Sequence, residues 1–384
     1  MKLRGDDRAT RRGPARRLAF ALLLLFPAAS SRAADLLVLR NLKVISDRTV
    51  LGFDADGVRL DDGATVGWGE IEKGTVGAGR QTEFDRWLSE LSEPLYRIRQ
   101  RLSVGDDRGL LPHAEAVYPR YADRDSPTAY MVSQALMWGR LAAGKREGAL
   151  EPYLRCLGYL RRHGAASVSL PGKRRLKHDS RTGLCPELPP VWFDGEAAKA
   201  ALPGVFRAVG RIPLPRPEGV YIYYATLAFA AGDGKAGEKG LSAMQSADAD
   251  LAELRQIAFA QWEITSRQPG DAVRRLSTAW RGFNAANKPL AVYWLGLSAV
   301  RATEPRARQQ GVLLLLQIPA LYGQEQPELA GAALYHSSKA LAELQDVRAS
   351  VTLRKELLEK YGRTYYASRV GPTPRAAAGV EEKS

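Results

Sequence analysis

The sequence predicts a mainly α fold: an α-solenoid of stacked helical hairpins with a small β-domain at its N-terminal end. Three observations carry this. Helical runs of apolar residues recur in pairs between residues 219 and 361, with a period of roughly 34–40 residues, the mark of helical-hairpin repeats. A stretch before residue 74 is cut into short β-forming pieces by Asp-Gly pairs. The composition, 45% apolar and 26% charged over 384 residues, is that of a globular chain with room for two or three domains.

Residues 1–33 read as a cleavable secretory signal. A basic stretch ends in Arg16-Arg17, an apolar run follows from Leu18 to Ala29, and the small residues Ser31, Ala33 and Ala34 come next. This order suits a signal peptidase cutting before Ala34. The apolar run is shorter than the roughly 20 residues a membrane-spanning helix needs. The Arg pair raises the twin-arginine route, but the residues after it match that signal poorly, so the sequence leaves the choice between the two export routes open. The whole chain carries a net charge of +14. Residues 1–33 hold eight basic and two acidic side chains, so 48 basic and 40 acidic residues remain and the expected mature chain is +8. A moderately basic balance suits an anionic partner, or simple solubility.

Residues 34–74 read as a small β-module. "TVLGFDADGVRLDDGATVGW" breaks at Asp56-Gly57 and Asp62-Gly63, because glycine tolerates the positive φ of tight hairpin turns. These pieces resemble the small SH3-like barrel modules of some bacterial envelope proteins. Residues 75–82 read as a Gly-rich linker. A helical region follows over 83–163, with Phe84, Trp87, Leu88, Leu91, Leu95, Ile98 and Leu102 at helical spacing. From 164 to 217 the pattern fails: eight prolines between 171 and 217 predict a Pro-rich irregular connection, with one short helix at Glu196–Val209.

After Glu218 the helical runs pair as 219–231 with 235–246, 251–267 with 269–284, 289–302 with 305–321, and 327–344 with 347–361. The segments "AVYWLGLSAVRA" and "AALYHSSKALAELQDVRASVTLRKELLEKYG" resemble the tetratricopeptide repeat superfamily. That resemblance implies stacked hairpins over residues 218–368, a concave groove lined by the first helix of each pair, and binding of proteins or peptides. Ala225, Ala260, Gly296 and Ala333 are expected at close helix approaches, with Tyr224, Phe259, Leu295 and Leu334 buried beside them. Residues 369–384 lack apolar content and read as a disordered tail.

Catalytic motifs are scarce. No nucleophile elbow, zinc-protease motif or Walker loop occurs, and no cofactor is expected. "GDGKAG" at 232–237 matches a phosphate-loop pattern only formally; between two helices it reads as a turn. Asp54, Asp56 and Asp62 lack the spacing of an EF-hand and read as turn residues. Cys156 and Cys185, in an exported chain, predict a disulfide, with two free thiols as the alternative. A weaker metal reading joins Cys156, His163, His178 and Cys185. Candidate partner contacts are the aromatic residues Tyr221, Tyr223 and Tyr293 and the basic run Lys173, Arg174 and Arg175.

These readings point to an exported, non-catalytic interaction or scaffold protein of a bacterial cell envelope. It would reside in the periplasm or outside the cell. It is expected to bind a protein or peptide, an acidic one by the charge balance, and to make no contact with nucleic acid. No transmembrane segment is expected after signal cleavage. The rival is an exported hydrolase of an envelope polymer with its site in the 164–217 segment. N-terminal sequencing of protein recovered from an extracytoplasmic fraction should begin at Ala34; a soluble cytoplasmic pool that begins at Met1 would overturn the export reading.

Overall fold

A computed structural model describes residues 35–77, 79–245, 248–267 and 271–370. The expected signal, residues 1–33, lies outside the described residues, as does the tail from 371 onward.

The β-module comprises six short strands: β1 (Leu36–Leu39), β2 (Val44–Ile45), β3 (Val50–Asp54), β4 (Gly57–Leu60), β5 (Thr65–Val66) and β6 (Ile71–Thr75). They form two antiparallel three-stranded sheets, ordered β2-β1-β6 and β3-β4-β5. The first turn falls one residue earlier than the Asp-Gly pair suggests: Asp54 pairs with Gly57, so Ala55 and Asp56 make the turn. Gly57 is nonetheless required, because a Cβ there would lie 2.3 Å from the Val66 carbonyl oxygen.

Among the described residues thirteen helices follow: α1 (Gln81–Val104), α2 (Asp107–Tyr121), α3 (Pro127–Ala142), α4 (Arg146–His163), α5 (Gly195–Gly210), α6 (Gly219–Ala230), α7 (Gly234–Ser242), α8 (Ala249–Ser266), α9 (Ala272–Ala279), α10 (Lys288–Val300), α11 (Pro305–Leu321), α12 (Pro327–Glu343) and α13 (Val347–Tyr361). The linker between β6 and α1 does not separate two cores. Trp68, Phe84 and Phe53 pack their rings within 6.0 Å of one another, and the Ser92 hydroxyl donates to the Ile71 carbonyl at 2.6 Å. The β3–β4 turn is also tied to the helices, through Tyr121, which donates to the Ala55 carbonyl, and through Arg124, which donates to Asp56 at 2.8 Å. The Asp54 and Asp62 side chains accept from backbone amides of their own turns, and Asp56 accepts from Arg124 of the α2–α3 connection.

Helices α6–α13 form the four hairpins the repeat pattern predicts, each packed on its neighbours. The small residues sit where expected. A Cβ on Gly296 would already meet the Leu315 side chain at 2.7 Å, so α10 and α11 approach closely there. Ala225, Ala260 and Ala333 are fully buried, as are Leu295 and Leu334; Tyr224 and Phe259 are only partly so. The formal phosphate-loop match is a turn: Gly232 takes φ +81° and Asp233 caps α7 by accepting from the Ala236 amide at 2.9 Å.

The 164–217 segment forms a longer helix than expected, α5, with Asp194 as its N-cap. The stretch before it, 183–194, is a strap buried against the first helices of the hairpins. Leu188 and Trp192 pack into one core and Val191 into the other. The far end of the chain returns to the same place. Phe193 meets Tyr366 at 5.3 Å, Tyr365 at 6.2 Å and Tyr293 at 6.1 Å. The Tyr365 amide donates to Glu328 at 3.1 Å, and Arg369 pairs with Asp194 at 3.4 Å. The series of hairpins therefore closes back on the start of α4. Arg369 and Val370, expected in the tail, belong to this folded closure. His336 lies inside it, 3.1 Å from the Tyr366 hydroxyl, and burial pushes its imidazole down to about 3.

Arg146, at the start of α4, sits at the junction of strap and closure. It is 4% exposed. Its guanidinium donates to the Val191 carbonyl at 2.9 Å and to the Pro189 carbonyl, and Glu328 and Glu147 supply the opposing charge. Arg146→Ala should cost about 3–5 kcal/mol, because it leaves the buried Glu147 and the part-buried Glu328 without their counter-charge and two strap carbonyls without their donor. Lys173→Ala, at an exposed position, should stay within about 0.5 kcal/mol. Urea midpoints at pH 7 compare the two; a small loss at Arg146 would remove it as the keystone of the closure.

Candidate functional site

The structure disperses the residues singled out by sequence. Tyr223 and Tyr293 are not surface anchors: they are 0% and 1% exposed. The Tyr223 hydroxyl accepts from the Cys185 amide and donates to the Leu188 carbonyl, both at 2.8 Å. Tyr293 packs on Trp294, Phe193 and His336. Tyr221 is half-buried against the first core. Arg174 is also committed: its guanidinium lies 4.2 Å from the Trp138 ring centroid and pairs with Asp107 and Glu187. Arg175 binds the Gly172 and Leu170 carbonyls of its own loop. Lys173 remains exposed.

Cys156 and Cys185 are free, and both are buried, so the expected bridge is absent. The Cys156 thiol faces the Tyr130 carbonyl at 3.7 Å. Burial pushes both thiols up, Cys185 to about 11 and Cys156 further, helped by the neighbouring Cys185. The metal reading also fails. His163 is half-exposed, paired with Asp125 at 3.1 Å and packed on the Tyr159 ring at 4.5 Å. His178 is half-buried, and burial lowers its imidazole. Among the described residues no three His, Cys, Asp or Glu gather to hold a metal.

The predicted concave groove is occupied by the chain itself. The strap lies between α4 and the first helices, and its backbone groups are met by side chains of α4 and α6: Tyr153 on Gly183, Tyr223 on Leu188, Arg146 on Pro189 and Val191, Glu147 on Phe193. The signal for this was present in the sequence. Helices α6 and α10 are apolar around nearly their whole circumference, the pattern of a helix covered on every side.

An open cleft lies instead at the closure, with a volume of about 800 Å³. One wall is α5, whose Ala197, Ala200, Ala201 and Gly204 fall at i, i+3, i+4 and i+7, one helix face. The α3–α4 corner from Ala143 to Gly148 forms a second wall, and residues 362–365 form a third. Gly204 lets the Glu151 carboxylate lie against this face: a Cβ there would stand 2.6 Å from a Glu151 carboxylate oxygen, and that side chain would have to shift.

Four carboxylates and five cationic side chains line the cleft. Every carboxylate is engaged within the fold. Glu147 accepts the Phe193 and Asp194 amides at 2.7 and 3.1 Å. Asp194 caps α5 by accepting the Glu196 and Ala197 amides. Glu151 pairs with Arg155 at 3.3 Å, and Glu115 with Lys145 at 3.5 Å and Arg140 at 3.7 Å. Among the cations, Arg108, Arg207 and Arg363 make no ion pair with any described residue and are exposed. The uncompensated charge of the cleft is thus positive. The small-residue face of α5 is readable in "GEAAKAALPGVF"; nothing in the sequence set it opposite residues 362–365.

Thiol alkylation of native protein at pH 8 should leave both cysteines unmodified, and denatured protein should label at both positions. Rapid native labelling, or an intact mass showing a bridge, would contradict the buried free thiols.

No protein family, curated protein or solved structure matches this chain.

Proposed function

We propose that this chain is an exported, non-catalytic interaction protein of a bacterial cell envelope. In this reading its hairpins are tetratricopeptide-like and its β-region SH3-like, and its partner docks in the cleft along α5. The observation that carries the docking site is the cleft itself: an open cavity with a small-residue floor and uncompensated guanidinium groups, while the concave face is filled by the strap. The scarcity of catalytic motifs and the signal-like N-terminus support the rest. Among the described residues no helix is long and apolar enough to cross a membrane.

The hydrolase reading keeps one specific observation in its favour. Asp194 and α5 belong to the 164–217 segment and share the cleft with Glu147 and Glu151. Against it, each of those carboxylates already serves a structural partner, which leaves none free as acid or base.

A photo-crosslinker placed at Ala200, in the cleft floor, should give one defined adduct in envelope fractions. The same probe at Val351, on an exposed position of α13, should give none. Recovery of the protein in the cytoplasm with no adduct at Ala200 would sink the reading. Release of soluble fragments from purified envelope polymer, lost in Glu151→Gln, would favour the hydrolase instead.

A further inference from the structure

The cleft has a length as well as a volume. Both Ala197 and Arg207 line it, and ten helical residues advance about 15 Å. A cavity of about 800 Å³ spread over that length has room to seat a single extended chain. At about 3.3 Å per residue such a groove holds four or five residues.

Its charge specifies what that chain carries. Arg207 ends the floor on α5, Arg108 stands in the first turn of α2, and Arg363 follows α13. The three guanidiniums come from three separate elements of the fold and have no ion-pair partner among the described residues, whereas the carboxylates of the cleft are all used. Guanidinium groups match carboxylates in bidentate geometry. Between them the floor presents Ala200 and Gly204, with no large side chain to hold a peptide backbone away.

We propose that this cleft binds an acidic peptide segment of four or five residues in extended conformation, its carboxylates meeting Arg108, Arg207 and Arg363. The inference rests on the interaction reading and names the partner's docking chemistry. The closure segment 362–365 forms one wall of the groove, so the groove exists only in the closed molecule.

Fluorescence anisotropy with the purified protein tests it. The probe is a labelled pentapeptide carrying three Asp or Glu residues, and the control is its Asn/Gln counterpart. The acidic peptide should bind at least about tenfold more tightly than the neutral one, and added salt should weaken it. Arg207→Glu and Arg363→Glu should each weaken binding about tenfold or more. Ala200→Trp, which fills the floor without changing charge, should abolish it. Far-UV circular dichroism and the urea midpoint should stay at wild-type values, since all three positions are exposed. Equal affinity for both peptides, or binding indifferent to the three substitutions, overturns the proposal. Tighter binding of an oligouronate than of the acidic peptide also overturns it, by assigning the groove to an anionic glycan. A defined crosslink at Ala200 with no acidic-peptide binding leaves the interaction reading standing and removes only this one.

Discussion

The interior of this protein is organised by a need that most helical stacks avoid: an irregular, Pro-rich strap runs through it, and its backbone groups must be satisfied there. A buried carbonyl or amide without a partner costs about as much as a lost hydrogen bond. Prolines 186, 189 and 190 lower that demand by removing donors. Several of the groups that remain are met by side chains of α4 and α6. Tyr153, Tyr223, Arg146 and Glu147 are therefore polar groups in apolar surroundings, each aimed at the strap. Arg146 and Glu147 are adjacent in the first turn of α4. One supplies donors to strap carbonyls and the other accepts strap amides, so a single helix start fixes both kinds of group.

The same junction closes the molecule. Glu328, at the start of α12, shares the electrostatic field of Arg146 and holds the Tyr365 amide. Phe193 then lies among Tyr293, Tyr365 and Tyr366, linking strap, repeats and C-terminal return in one aromatic cluster. A groove open in a bare stack of hairpins is consequently filled, and the open cleft lies at the seam where the last residues of the stack meet α4 and α5.

Much of the architecture was legible in the sequence, because helical hairpins declare themselves locally. Apolar spacing, the prolines opening α10 and α12 and the small residues at close approaches located four repeats within a few residues of their observed ends. The β-region was likewise legible from its turn residues. The candidate contacts fared worse. Tyr223 and Tyr293 were read as surface anchors because an aromatic residue in a repeat looks alike whether it faces solvent or a covering segment. Arg174 and Arg175 were read as a patch because their partners, Asp107, Trp138 and nearby carbonyls, are brought in only by the fold. The cysteines were read as a bridge from compartment chemistry, and spacing alone says nothing of the geometry a bridge needs.

The sequence by itself determined the helices, their pairing and the order in which they stack, since each follows from residues within one turn or one repeat of each other. It also determined that α6 and α10 must be covered on all sides, having no polar face to give to water. Only the tertiary structure decided what covers them, because the strap meets α4 and α6 through contacts 34 to 46 residues apart. It alone decided that Asp194 meets Arg369 across 175 residues. The cleft at that seam depends on where a curving stack returns to its own beginning, a sum of small rotations between hairpins that no local pattern encodes.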